Sequence, residues 1–317
     1  MVHLRIVAPP EPARKAHALL CATPSAIDVI HVPGVSQRPE GDLVMCDVAR
    51  EDASVIVADL RDLEIDRLGS ISLSAVDTIS DLAVAAERHA PGAPSDAVVW
   101  EELEQRTNES VEISGVFLLY MALAAIIAGV GIILDSEVLI VGAMVVGPEF
   151  GPIAGFCVAA VQRRRNLALR SGLALAVGFP LAIASALAAT AAFDVTGATP
   201  GGFTTKEHAL ARIISSPDAF AFIVAAAAGV AGMLSLSTAK SGALIGVLIS
   251  VTTIPAASNI GIAAYYADWH TFWGSVGQLA VNLAAILLAG TLTLAIQRRL
   301  YHRRRARHLS TRSAASR

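Results

Sequence analysis

The sequence predicts an α-helical polytopic membrane protein with a small α+β domain at its N-terminal end. Three observations predict it. The 317 residues are 54% hydrophobic and only 16% charged, where a soluble domain carries roughly 25%. The charge is unevenly split: residues 1–114 hold 9 Lys/Arg against 20 Asp/Glu, and the remainder 15 against 7. Two environments are therefore expected. Finally, six apolar segments follow one another from residue 115 onward, each near the ~20 residues needed to cross a ~30 Å hydrocarbon core. The plan is a soluble domain over 1–90, a linker over 91–114, a transmembrane domain over 115–297 and a basic tail over 298–317.

In the first domain, His3 to Ala8 alternates as a strand, with Leu4, Ile6 and Ala8 on one face. Pro10 and Pro12 suit a helix start, and the helix formers run from Ala13 to Ala22. Ala26 to Val35 is rich in β-branched residues and reads as a second strand. A turn at Pro39-Glu40-Gly41-Asp42 leads to a third strand, Leu43 to Val48. Glu51 to Leu63 has helical period, with Val55, Leu60 and Leu63 on one side and Asp52, Asp59 and Asp62 on the other. Ile71 to Val76 is the fourth strand. The order βαββαβ is the ferredoxin-like, split-βαβ arrangement, a fold that hosts many functions and decides none. Its plausible tasks are ligand sensing and subunit contact.

No nucleotide loop, nucleophile elbow or zinc motif occurs, so enzymatic chemistry is not expected. Cys21, Cys46 and Cys157 show no paired spacing, and buried thiols are the default. His3, His31 and Cys46 fit no compact metal motif and read better as surface histidines and a buried thiol. No cofactor or metal is expected. The N-terminus has no signal-peptide pattern, which predicts a cytoplasmic first domain. In the linker, Pro91-Gly92-Ala93-Pro94 marks a break. Trp100 then precedes Glu101, Glu102, Glu104 and Glu109, as in an amphipathic or merely charged helix with Trp100 near the membrane surface.

The apolar segments are 115–134, 138–161, 167–193, 219–236, 241–264 and 271–296. They are expected to be helices, because in lipid the backbone satisfies its own polar groups. Arg163, Arg164, Arg165 and Arg170 fall between the second and third segments, Lys240 between the fourth and fifth, and Arg298, Arg299, Arg303, Arg304 and Arg305 after the sixth. An inside start puts all three groups, and both termini, in the cytoplasm. Tyr265, Tyr266, Trp269 and Trp273 then form an outer interfacial belt, with Asp135 and Glu137 as solvated loop charges at that side.

Two segments are interrupted. The second runs from Ser136 into Gly147-Pro148-Glu149-Phe150-Gly151-Pro152, and the fifth from Ser241 into Pro255-Ala256-Ala257-Ser258-Asn259-Ile260-Gly261. Paired interruptions in two halves point to a transporter binding site. With six spans the halves are inverted, a 3+3 repeat. Ala128-Gly129-Val130-Gly131 echoes Ala228-Gly229-Val230-Ala231-Gly232, and Gly172 to Val177 echoes Gly277 to Val281. The expected helix breaks are Gly147, Pro148, Gly151 and Pro152, matched by Pro255 and Gly261.

The stretch from Ser136 to Ile153 also resembles the signature of a bacterial and archaeal membrane family, domain of unknown function 389, the uncharacterised hydrophobic domain. Val141-Gly142-Ala143-Met144 and Gly151-Pro152-Ile153 match its pattern. Gly147 stands where Ser is commoner, and Glu149-Phe150 where apolar residues are usual. The resemblance implies five or six spans and an N-terminal extension, and implies no particular activity.

Candidate solute or ion ligands follow from polarity within spans. A carboxylate inside a span is a functional hypothesis by default, which singles out Glu149; the plain alternative is a solvated segment end. Ser258 and Asn259 occupy the other interruption, preceded by Thr252 and Thr253. Gln278 and Asn282 share a helix face. Interhelical packing is the plain alternative for these amides. The leading reading is an inner-membrane secondary transporter or permease of a small solute or ion. The rivals are an oligomeric channel gated by the cytoplasmic domain and a membrane-anchored sensor or scaffold. The expected partners are the lipid bilayer, a small solute or ion and further copies of the chain; nothing points to nucleic acid.

Overall fold

The structure is a computed structural model. It describes residues 1–76, 80–90, 97–199, 205, 208–238 and 252–315, with the side chains of the last helix as far as 306. The chain divides into two compact units, the first built on Met1–Leu103 and the second beginning at Glu104.

The first unit holds β1 (Val2–Ala8), α1 (Pro10–Cys21), β2 (Ala26–Gln37), β3 (Glu40–Val48), α2 (Arg50–Asp62), α3 (Ile65–Leu68), β4 (Ser70–Ala75) and α4 (Asp81–His89). The sheet order is β2-β3-β1-β4. Every pairing is antiparallel, with Leu4 opposite both Cys46 and Leu73. The alternation of β1 turns Leu4, Ile6 and Ala8 inward, against Ala13, Ala16 and Leu20 of α1 and Ala53, Ile56 and Leu60 of α2. Helix α1 begins earlier than its helix formers suggest, because a proline in the first turn forfeits no hydrogen bond. Helix α4 escaped the sequence reading; its signal was Ser80, whose hydroxyl accepts from the Ala83 amide at 3.0 Å as an N-cap.

Two expectations for this unit are corrected. Asp59, set on the side of α2 opposite Val55, Leu60 and Leu63, is buried with them, as is every residue from Ala53 to Leu60. Trp100 is also buried rather than poised at a membrane surface. One arrangement accounts for both. The chain at 97–103 lies along α2: the Trp100 amide donates to Ser54 Oγ at 3.0 Å, and Ser54 donates to Glu101 at 2.7 Å. Arg61 pairs with Glu101 at 3.1 Å and Arg50 with Glu102 at 2.6 Å. Glu101 and Glu102 are thus partners of α2. His3 and His31 meet carboxylates, Asp47 at 2.7 Å and Asp42 at 2.9 Å, and no metal-binding cluster occurs among the described residues.

Helix α5 (Trp100–Ser110) leads into the second unit, which holds α6 (Gly115–Ile133), α7 (Glu137–Val146), α8 (Phe150–Gln162), α9 (Arg165–Val195), α10 (Ala209–Ile214), α11 (Ala219–Ser237) as far as Leu236, α12 (Thr253–Tyr265) and α13 (Trp269–Ala315) as far as Arg304. Among the described residues four helices are long and apolar enough to cross a membrane: α6, α9, α11 and α13. The pair α7 and α8 makes a fifth if its 51° bend lies within one span. The fifth predicted segment begins at Ser241, and 239–251 lie outside the described residues. The basic end is not an irregular tail: α13 continues through the arginines to Ala315. Residues 297–315 contain neither Pro nor Gly and are rich in Arg, Ala and Leu, so nothing stops the helix.

Candidate functional site

The first interruption forms as the sequence demands. Helix α7 ends at Val146, and Gly147 adopts an extended conformation, φ −64° and ψ 127°. Pro148 imposes that geometry on the residue before it and brings no amide to continue the ladder. The chain restarts at Phe150, with Glu149 at the N-cap position of α8. Pro152, third in α8, sits in the first turn where its missing amide costs nothing.

The second predicted interruption does not fall at Pro255–Gly261. Pro255, Ser258, Asn259 and Gly261 all belong to the continuous helix α12, which starts at Thr253 with Thr252 at its N-cap. Pro255 is third in that helix, as Pro152 is in α8, and so begins a helix rather than breaking one. Gly261 is a contact glycine. A Cβ there would lie 2.5 Å from the Ile183 carbonyl oxygen and 2.9 Å from the Leu187 nitrogen of α9.

The starts of α8 and α12 meet. Thr253 Oγ1 donates to Glu149 Oε1 at 2.8 Å, and Glu149 is only 3% exposed. It is therefore not a solvated segment end. Gly147 makes room for it, since a Cβ there would run into Glu149 Oε2. From this contact a polar seam continues. Asn282 of α13 donates to Thr252 Oγ1 at 2.7 Å, and Gln278 donates to Asn282 Oδ1 at 3.4 Å. Three residues back on the same helix, Ser275 Oγ accepts from Asn259 Nδ2 at 2.9 Å; Asn259 also donates to the Ala211 carbonyl at 2.9 Å.

Glu149 with Thr253, and Thr252 with Asn282 and Gln278, thus form one run of contacts at the start of α12, while Asn259 makes a separate contact with Ser275 further along α12 and α13. Ser258 joins neither: its hydroxyl donates to the Ala125 carbonyl of α6 at 2.8 Å, in helix packing. Gly151 is likewise a packing residue, where a Cβ would lie 2.9 Å from Ser110 Cβ and from its carbonyl oxygen. The sequence reading missed Ser275. The spacing Ser275, Gln278, Asn282 was the available sign, since steps of three and four share a helix face. Three oxygens of the seam are buried without a hydrogen-bond partner: Glu149 Oε2, Gln278 Oε1 and Asn259 Oδ1. No Lys, Arg or His pairs with Glu149 among the described residues.

Loop contacts in this unit form two sets. Asp135 is exposed, as a loop charge, and its Oδ1 also accepts from the Leu210 amide at 3.0 Å, which ties it to the 194–218 connection. Tyr265 Oη donates to Asp194 at 2.9 Å, and Thr205 Oγ1 to Asp268 at 2.6 Å. The belt aromatics lie nearby, Tyr265 edge-on to Tyr266 and Phe272 between exposed Trp269 and Trp273. Elsewhere, Arg298 donates to the Val161 carbonyl near the end of α8, beside a recess lined by Arg163, Arg164, Arg165 and Arg170.

Comparison with known proteins bears on the same region. An uncharacterized protein of Methanocaldococcus jannaschii is 25% identical over 199 residues, which take in 61% of this chain and 59% of that relative's length. No solved structure matches. The family model described as domain of unknown function (DUF389) matches residues 144–288, a stretch that contains every residue of the seam. Residues 144–288 are thus similar to the domain of unknown function DUF389, the family whose signature the Val141–Met144 and Gly151–Ile153 motifs resemble.

Proposed function

We propose that this is a multi-pass protein of the cell membrane, a secondary transporter or permease of a small solute or ion and not an enzyme, with the polar seam as its translocation site. One observation carries the reading. Two helix starts 104 residues apart share a buried hydrogen bond, Thr253 to Glu149. Helix starts meeting away from water are the arrangement by which transporters offer backbone and side-chain ligands to a solute.

Further features support six spans as a 3+3 inverted repeat. Helices α8 and α12 each have 13 residues with proline third. From their shared origin, α8 leads to the arginine corner and α12 to the aromatic end, opposite directions as inversion requires. The 10 residues of α7 measure about 15 Å and the 13 of α8 about 20 Å, which supports a seam near mid-depth in a ~30 Å core. The loop contacts alternate between the two ends, and the arginines favour a cytoplasmic side for theirs, hence cytoplasmic termini. We read the sheet order β4-β1-β3-β2 with βαββαβ connectivity as ferredoxin-like. The soluble unit is then a sensing or subunit-contact module, with the assembly a homo-oligomer.

The test is reconstitution of the full chain into proteoliposomes and measurement of uptake across a panel of ions and small solutes. Uptake of at least one is expected, with Glu149→Gln reducing it on the order of tenfold or more, as for loss of a charged hydrogen-bonding ligand. A Thr252→Cys probe in a chain without its native cysteines should react with impermeant thiol reagents. Absence of flux for the whole panel, together with a Thr252→Cys probe silent from both sides, leaves a sensor or scaffold and defeats the transporter.

A further inference from the structure

We propose that Glu149 is a proton-binding site and that the proton is the coupling ion of the transporter. Its coupling role rests on the transporter reading; its binding of a proton does not. Glu149 is 3% exposed. Its Oε1 accepts from Thr253 at 2.8 Å, and its Oε2 is buried without a hydrogen-bond partner. Although Glu149 holds the N-cap position of α8, its side chain makes no capping hydrogen bond. The carboxyl therefore neither closes a helix nor completes an ion pair among the described residues.

The charged groups of the surrounding elements stand elsewhere. Helices α6, α8 and α12 contain no Asp, Glu, Lys, Arg or His. Their titratable side chains are engaged or outside: Tyr120 is exposed, Cys157 donates to the Leu287 carbonyl, and Tyr265 donates to Asp194. Glu137 is the first residue of α7, twelve positions before Glu149. Helix α9 keeps Arg165 and Arg170 at its start and Asp194 at its end. Helix α13 has His270 at its start and its first arginine at Arg298. The end of α5 lies against Gly151 through Ser110, and the charged residues beside it, Arg106, Glu109 and Glu112, are exposed.

A carboxylate away from water needs a cation or several donors, and Glu149 has one side-chain donor, Thr253. Leaving the ion so poorly matched costs far more than leaving one atom of a neutral carboxyl unpaired. A proton on Oε2 removes the charge and keeps Oε1 as the carbonyl acceptor for Thr253. The step is carboxylate plus hydronium giving carboxyl plus water, with nothing oxidised or reduced. A proton asks for a single oxygen, where a metal ion asks for several around one point. The starts of α8 and α12 pull the other way, since their partial positive charge favours the ion. The opposition lets the carboxyl release its proton as well as hold it, and a coupling group does both.

The experiment is infrared spectroscopy of the full chain in lipid while the pH is varied. A protonated carboxyl has a carbonyl stretch that a carboxylate lacks. The wild-type chain is expected to show such a band at neutral pH, lost reversibly in alkaline medium, and Glu149→Gln to lack it. Thr253→Val should keep the band and move it to higher frequency, because the carbonyl loses its hydrogen bond; this variant retains the carboxyl should Glu149→Gln fail to assemble. Absence of the band at neutral pH overturns the proposal, as does a band that both variants leave unchanged. Coupling is read separately, in proteoliposomes holding a pH-sensitive dye. A transported member of the solute panel should carry protons with it, and Glu149→Gln should abolish that proton movement. A Glu149 band without flux of any solute keeps the proton site and removes the transporter. Solute flux that moves no protons and ignores an imposed pH gradient keeps the transporter and overturns the coupling.

Discussion

A buried carboxylate draws attention in a chain with so few charges, yet the soluble unit shows more plainly how single residues respond to their surroundings. Burial pushes the Cys46 thiol up to about 12, while Cys21 stands exposed on α1. The thiolate is the reactive form. A maleimide should therefore modify Cys21 within minutes and leave Cys46 untouched until the unit unfolds, as peptide mass mapping will read. Asp42 shows the opposite shift. The Gly34 amide, at 2.9 Å, and the His31 ring hold its carboxyl below the usual carboxylate range. A carboxyl depressed in the folded state stabilises the fold above its unfolded value near ~4. It ceases to do so as pH falls through the folded value. Asp42→Asn should lower the melting temperature of residues 1–103 at pH 7, and the gap to the wild type should narrow as pH falls below about 4. An equal gap at pH 7 and pH 3 contradicts the Asp42 clasp.

Among elements, α12 carries the most information, because its proline and glycine have meanings that the sequence alone leaves ambiguous. Gly261 faces the backbone of α9, whereas a Cβ added at Gly277 on α13 would meet only Pro217 Cγ, at an ordinary 3.6 Å. Gly261→Ala should accordingly force α12 and α9 apart, costing roughly 1–3 kcal/mol, and lower the melting temperature in detergent. Gly277→Ala should leave it unchanged. Similar losses in both variants contradict this contact. The strands and the α7–α8 interruption were readable because their signals are local: alternation in β1, and Gly147-Pro148, where a proline follows a run that already has a helix behind it. The α12 start was not readable in the same way. Pro255 breaks a helix only if the helix has already begun, and that depends on residues before Thr253. Trp100 and its glutamates were misread for another reason. Their partners Ser54, Arg50 and Arg61 lie 40 to 52 positions away, and no local pattern announces such contacts.

At the scale of the whole chain, the two ends of the membrane unit make a stricter demand than any one helix. Asp135 reaches Leu210, Asp194 receives Tyr265, and Asp268 receives Thr205. These contacts tie together the connections after the first, third and fifth predicted segments. Arg298 reaches Val161, which ties the connection after the second segment to the chain after the sixth. A chain that crosses at every segment, six times, sorts its connections into these two sets; an odd number of crossings between any two of them does not. The arginine set carries Arg163, Arg164, Arg165, Arg170 and Arg298, and such clusters are retained on the cytoplasmic side. On the proposed topology the aromatic set faces outward, with Trp269 and Trp273 at the interface. Green fluorescent protein, which matures inside the cell, should fluoresce when fused at either terminus. Alkaline phosphatase, active only outside, should be active when inserted at 200–204 and silent at the termini. Phosphatase activity at one terminus, with fluorescence at the other, would mean an odd number of crossings. It would take away the inverted repeat and with it the reason for α8 and α12 to share an origin.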